Sequence, residues 1–172
     1  MGLLDNLGDL LKQAAAGKAS TADVHAAYDQ VAKTSSQGEI ADGLTHAFNS
    51  DQTPPFEQMV SGLFANSSPD QKAGLLNKVL GSLGAAGVSQ ILGSAGGLGG
   101  LAGVFSGSSV TPQQAQQITP ETVQVLAQNA AKKDPSIVDA AAGFYAQHPT
   151  LVKAIGAGAL ALLMSNISQS RR

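Results

Sequence analysis

The sequence contains no cysteine among its 172 residues. Without cysteine the chain can form neither disulfide bonds nor thiolate metal sites, and its redox compartment is left undetermined. Tryptophan is absent as well, and aromatic residues make up only 4% of the chain. A chain of this length can still bury a sizeable core without disulfides or a metal, and we expect it to fold as a single domain, with two small domains as the alternative.

Charged residues are scarce too, at 13% of the chain, against roughly a quarter in a typical domain. Lysine and arginine do not cluster beyond Lys132-Lys133 and Arg171-Arg172, and the formal net charge is −2. Nucleic acid binding draws much of its affinity from neutralised phosphates. We therefore predict that the chain has no nucleic-acid partner.

The N-terminus, MGLLDNLGDLL, lacks the basic start and the continuous apolar run of a secretory signal. It also fails the myristoylation pattern, because Asn6 stands where serine or threonine is required. The expectation is a cytoplasmic protein, with membrane association kept as an alternative.

Catalytic and metal-binding patterns are missing. His25, His46 and His148 are far apart and lack the spacing of metal ligands. Serine is abundant, but no GxSxG motif is present. The stretch from Gly97 to Ala102 matches a relaxed dinucleotide fingerprint, yet no β-rich strand precedes it. We assign no catalytic, cofactor-binding or metal-binding residue and predict that the chain is not an enzyme and uses no cofactor.

Apolar residues recur at helical spacing along the chain, and no stretch alternates with period two for long. Thr21 is the expected N-cap of one helix, and Ser36 to Glu39 has the pattern of a capping box. In the second half, cap-like residues precede prolines, which favours helix starts at those prolines. These pairs are Thr111-Pro112, Thr119-Pro120, Asp134-Pro135 and His148-Pro149.

The predicted fold is all-α, a compact bundle of seven to nine short helices with a glycine-rich, close-packed central helical segment. Within the single domain, 1–172, residues 1–20 form an N-terminal amphipathic helix and residues 21–83 a helical half. The glycine-rich segment covers residues 84–110. Residues 111–172 form a second helical half that ends in an apolar helix.

The stretch Gly81–Gly107 holds ten of the twenty glycines, and no charged residue lies between Val79 and Pro120. Its leucines, isoleucine and valines argue against a solvated linker. Wound as a helix, it places large side chains on one face and glycines on the other, as in helices that approach closely. We expect a break near Gly84 to Gly87. The interface candidates are Ile91, Gly96, Gly97, Leu98, Gly100, Leu101, Gly103 and Phe105.

The segment Ala154–Met164 is apolar on every side, which is typical of a helix in a core or a membrane. Its eleven residues are shorter than the roughly 20 that a bilayer requires. We favour a buried helix that forms a hairpin with the glycine-rich helix.

The start MGLLDNLGDLL and the leucine-, glycine- and glutamine-rich helices after it resemble the YidB-like bacterial family of unknown function. The resemblance implies a bacterial, helical protein and transfers no functional residue.

Three hypotheses about function follow. The first is a non-enzymatic protein that acts through protein contacts, self-associating into an oligomer or filament, because few charges and many small residues suit close packing between subunits. The second is a peripheral or inserted membrane protein that uses the glycine-rich and C-terminal apolar helices. The third is a carrier of a small apolar ligand.

Overall fold

The computed structural model describes residues 8–9, 12–13, 16, 18–94, 99–107 and 109–171. The described residues form ten α-helices and two 3₁₀ turns, with no strand among them. The prediction of an all-α fold is confirmed. The predicted N-terminal amphipathic helix falls mostly outside the described residues.

The helices are numbered here in chain order, and seven of the ten have ten or more residues. They are α1 (Thr21–Thr34), α2 (Gln37–Phe48), α3 (Phe56–Ala65), α4 (Pro69–Ser94), α5 (Ala102–Phe105), α6 (Pro112–Ala115), α7 (Pro120–Lys133), α8 (Ser136–Ala146), α9 (Pro149–Val152) and α10 (Ala157–Ser170). The 3₁₀ turns are Gly99–Leu101 and Lys153–Ile155.

The helix ends follow the capping chemistry of the sequence with two small shifts. Ser36 and Glu39 form the predicted capping box, and Thr111 and Thr119 each cap a helix that starts with proline. The N-cap of α1 is Ser20, not Thr21, because the Ser20 hydroxyl accepts the Asp23 N–H. Helix α8 begins one residue after Pro135, and the Asp134 carboxylate accepts the Ser136 N–H.

The chain divides into two compact units. The first unit joins both ends of the chain, Met1–Pro55 and Ala142–Arg172, and the second unit is Phe56–Ala141. The prediction of a single domain stays a prediction, and one calorimetric transition for the whole chain would support it.

In the first unit, the C-terminal helix α10 packs against α2 and α1. A hairpin with the glycine-rich helix was predicted for this helix; within its own unit, its partners are α1 and α2. Leu160 and Leu163 of α10, Leu44 of α2 and Tyr28 of α1 are fully buried. Gly156, with φ 96°, separates the second 3₁₀ turn from α10, so α10 begins later than the predicted apolar helix.

The end of α10 is fastened to the α1–α2 junction by Arg171. Its guanidinium donates to Glu39 Oε1 at 2.8 Å and to the Thr34 carbonyl at 2.6 Å. The Arg171 hydrogen bonds to the Glu39 carboxylate, followed by the bond from the Ser36 N–H, lower the pKa of Glu39 from 4.5 to about 2. A second ion pair joins Lys153 to Asp29 at 2.5 Å.

The Glu39 carboxylate makes the stability of the first unit depend on acid pH. Because its pKa is lower in the folded chain, ionised Glu39 stabilises the fold fully above pH 4.5, and this stabilisation is lost as the pH falls toward 2. We expect Glu39→Gln to remove that part of the pH dependence while keeping the capping box, since glutamine serves at the same position. Urea midpoints between pH 2 and 7 measure it, with the exposed Asp51→Asn as the control. Parallel pH profiles for E39Q and the wild type would contradict the expectation.

In the second unit, α4 packs against α7 and α6, and α3 packs against α7. The core there consists of fully buried side chains from α3, α4 and α7. They are Leu63, Phe64, Leu75, Leu76, Val79, Val123 and Leu126. The glycine-rich segment belongs to the same unit as this core.

Candidate functional site

Helix α4 bends sharply at Gly84, where the backbone has φ 70° and ψ 168°. Almost only glycine adopts this combination of angles. The bend confirms the prediction of a break between Gly84 and Gly87. It divides α4 into an upstream arm (residues 69–83) and a downstream arm (residues 85–94).

Lys133, the last residue of α7, lies at the bend. Its ammonium donates a hydrogen bond to the main-chain carbonyl of Leu83, the residue before the bend. A Cβ placed on Gly84 or Gly87 would be 3.7 Å from the Lys133 Nζ. Carbonyls at the end of a helical run lack helical donors, and a lysine can satisfy them. Lys133 therefore caps the upstream arm from a neighbouring helix.

Asp134 adds a second link at the same place. Its carboxylate accepts from the Ser136 hydroxyl at 2.7 Å and from the Ser82 hydroxyl at 3.4 Å. The hydrogen bonds from the Ser136 side chain and main chain lower the pKa of Asp134. The start of α8 and the upstream arm are thus both held to the end of α7.

A groove with a volume of about 340 Å³ lies between the downstream arm and the end of α7. Leu83, Gly87 and Ile91 form its apolar part. Its polar part consists of Gln90, Ser94, Asn129, Lys132 and Lys133. We call it the kink groove, because both the bend at Gly84 and the Lys133 cap border it. Two ammonium groups and no carboxylate line it.

The far end of the glycine-rich segment is fixed by Asn77 of the upstream arm. The Asn77 Oδ1 accepts the Val110 N–H at 2.7 Å, and its Nδ2 donates to the Val110 carbonyl at 3.2 Å. Val110 itself is buried, with 4% of its surface exposed. One side chain therefore satisfies both main-chain groups where the chain returns to the core.

Small exposed residues lie along α4 from Gly81 onward and in the described residues that follow it. We call this set the small-residue surface: Gly81, Ala85, Ala86, Ser89 and Gly93 on α4, and Gly100, Ala102 and Gly103 after it, all of them exposed. Ala85, Ser89 and Gly93 are four residues apart and so lie on one face of the downstream arm. Helix α5 and the 3₁₀ turn before it both pack against α4.

The predicted interface residues fall into three groups. Ile91 is buried at 6% exposure, and Leu101 and Phe105 are half-buried. Gly100 and Gly103 are exposed, and no described atom lies within 4 Å of a Cβ built on either. Packing among the described residues of this chain therefore does not account for these two glycines, and their place in an interface stays a prediction. Gly96, Gly97 and Leu98 lie outside the described residues.

The described part of the glycine-rich segment is not one straight helix. It contains the downstream arm of α4, which follows the bend at Gly84, and, over residues 99–105, a 3₁₀ turn followed by the four-residue α5. The angular positions of a single helix therefore do not carry across it. Val104, at 9% exposure, is the buried residue of α5.

Sequence reasoning missed the kink groove. The pair Lys132-Lys133 is visible as the only basic pair inside the chain, but lysines in a last helical turn are ordinarily explained by the helix dipole. The contact between Lys133 and Leu83 joins residues far apart in sequence. No local pattern encodes it.

Among the described residues, no group of three or more acidic or histidine side chains could hold a metal ion. Within the same residues, α4 is the one helix long and apolar enough to cross a membrane, with mean hydropathy 1.2. The bend leaves each arm shorter than the roughly 20 residues that a bilayer requires.

Comparison with known proteins gives no match, whether with family models, curated proteins or solved structures. The resemblance to the YidB-like family thus stays an expectation.

Proposed function

We propose that this chain is a non-enzymatic bacterial protein that works through protein contacts and self-associates through its small-residue surface. The observation that carries the proposal is the exposure of that surface. Its eight residues are solvent-exposed and uncharged, in a stretch with no charged residue from Val79 to Pro120. The cores of protein interfaces are depleted of charged residues in the same way.

The exposed glycines support the proposal on energetic grounds. A glycine inside a helix destabilises it by roughly 0.5–1 kcal/mol relative to alanine. No described atom approaches within 4 Å of a Cβ on Gly81 or Gly93, so neither glycine is required by packing within the chain. Contact with the backbone of a second chain would explain glycine at these positions, because small residues let helices approach closely.

The simplest arrangement is a symmetric pair of chains that uses the same surface on both copies. In such a pair, residues near the axis face their own counterparts. A charge introduced there is repeated on the partner and opposes association.

Ser89→Glu tests the proposal, since Ser89 is exposed on the downstream arm. Glutamate is a better helix former than serine, so the isolated chain should stay folded. We expect the wild type to form an oligomer that dissociates on dilution, and S89E to dissociate at a concentration at least about tenfold higher, or roughly 1.4 kcal/mol. Sedimentation velocity over a dilution series measures both.

Ala140→Glu is the matched control, because Ala140 is an exposed residue of α8 that is not part of the small-residue surface. It should associate like the wild type. A wild-type chain that is monomeric at every concentration would overturn the proposal, as would equal association of S89E and the wild type.

The membrane hypothesis is favoured by one observation, the length and apolar character of α4. Flotation with vesicles of neutral and anionic lipid separates it from self-association. Binding to vesicles by a chain that is monomeric in solution, with loss of binding in S89E, would favour the membrane. The third hypothesis, a carrier of a small apolar ligand, has less support, because polar side chains make up most of the kink groove lining.

A further inference from the structure

The kink groove has the charge of an anion site. Lys132 and Lys133 line it, and no acidic side chain does. Lys132 is exposed and forms no ion pair with any described residue. In a chain with net charge −2, this is a local excess of positive charge inside a concave surface, where an anion would be attracted.

The usual explanation of such lysines is incomplete here. Lysines in the last turn of a helix stabilise its carbonyl end. However, the Asp134 N–H already satisfies the Ala130 carbonyl of α7 at 2.8 Å. Lys133 donates to Leu83 of α4, not to its own helix. The helix dipole also does not explain why the amide side chains of Gln90 and Asn129 line the same groove as the two lysines.

Neutral polar groups complete the set. Asn129 uses one amide N–H to bind the Val125 carbonyl at 2.8 Å, which leaves its second N–H and its Oδ1 available. The Gln90 side chain, exposed on the downstream arm, forms no hydrogen bond with a described residue. Ammonium and amide donors together are a common set for binding phosphate or carboxylate oxygens.

The size and floor of the groove limit the ligand. Its volume of about 340 Å³ falls at the small end of ligand sites. Leu83 and Ile91 are only 2% and 6% exposed, so the floor is closed but offers little apolar surface. A compact polar molecule fits this combination better than a long apolar one.

We propose that the kink groove binds a small anionic group, a phosphate or carboxylate, held by Lys132 with support from Gln90 and Asn129. The same group can be part of a free small molecule or of a lipid headgroup. Lys133 stays engaged with the Leu83 carbonyl and adds charge at the base of the groove.

The test uses the full chain and inorganic phosphate as the probe. Phosphate is titrated at constant ionic strength while the amide chemical shifts are followed by NMR, with acetate in a parallel titration. We expect saturable shifts confined to the groove residues. Lys132→Met, which keeps the apolar stem, should weaken binding by at least about tenfold without changing the melting temperature, as for the loss of one charge-assisted hydrogen bond.

Lys78→Met is the matched control, since Lys78 is an exposed lysine of the upstream arm that does not line the groove. It should bind phosphate like the wild type. Repeating the titration on S89E separates this site from self-association. Vesicles of phosphatidylglycerol form the second arm: binding to vesicles but not to free phosphate, lost in K132M, would identify a headgroup as the source. Shifts that do not saturate, or that K132M leaves unchanged in both arms, would overturn the proposal.

Discussion

Gly43→Leu is expected to lower the free energy of unfolding by about 3 kcal/mol, at the upper end of overpacking effects. Gly43 lies where α2 crosses α10. A Cβ there would be 3.0 Å from the Leu163 Cγ and 3.1 Å from the Leu163 main-chain oxygen. The main-chain oxygen belongs to a helix and cannot move aside as a side chain can. The added side chain therefore forces the two helices apart.

Urea denaturation of the full chain, followed by circular dichroism, measures the change. Gly38→Leu is the control, because Gly38 is an exposed position of the same helix whose Cβ would meet only the Ser36 hydroxyl, at 3.8 Å. Leucine is the better helix former by up to about 1 kcal/mol, so G38L should be neutral or more stable. Equal stability of G43L and G38L would show that α2 and α10 do not pack this closely.

The local parts of the fold could be predicted from the sequence. A capping box needs only residues three apart, and a proline at a helix start needs only its neighbour, so Ser36, Thr111 and Thr119 were predicted correctly. The apolar stripes of α2 and α3 likewise match the buried residues Ile40, Leu44, Met59, Val60 and Leu63.

Contacts between distant residues could not be predicted in this way. The residues around Gly43 in the sequence are those of an ordinary helix. The need for glycine there comes from the crossing with α10, which leaves little room for a side chain. Conversely, Gly100 and Gly103 were predicted as interface residues, and no described atom of the same chain lies within 4 Å of a Cβ built on either, so a packing partner for them would have to come from another chain. A glycine-rich pattern indicates where a helix could be approached closely, but it does not identify the surface that packs there.

The candidate site shows the same division. The break near Gly84 was predicted because glycine weakens a helix, and the structure places it at Gly84 itself. The contribution of Lys133 depends on the docking of α7 against α4, which no local spacing encodes. The bend could therefore be predicted from the sequence, whereas the groove beside it depends on tertiary packing.

Gly84→Ala is expected to destabilise the second unit by about 1–3 kcal/mol, because alanine strongly disfavours backbone angles that are nearly exclusive to glycine. Gly84 has φ 70°, and the bend there lets Lys133 reach the Leu83 carbonyl. The variant must either keep the strained angles or straighten α4 and give up that hydrogen bond. For a chain of this length, each kcal/mol lowers the melting temperature by roughly 2–4 °C.

Gly81→Ala is the control, three residues earlier in the same helix. Gly81 has helical geometry and no described atom within 4 Å of an added Cβ, so alanine should stabilise the chain by roughly 0.5–1 kcal/mol. The same substitution is thus expected to have opposite signs at two neighbouring glycines. Differential scanning calorimetry of both variants measures the effect, and phosphate titration of G84A tests whether the kink groove depends on the bend. If G84A were as stable as G81A, α4 would be a straight helix in solution, and the groove would lose its structural basis.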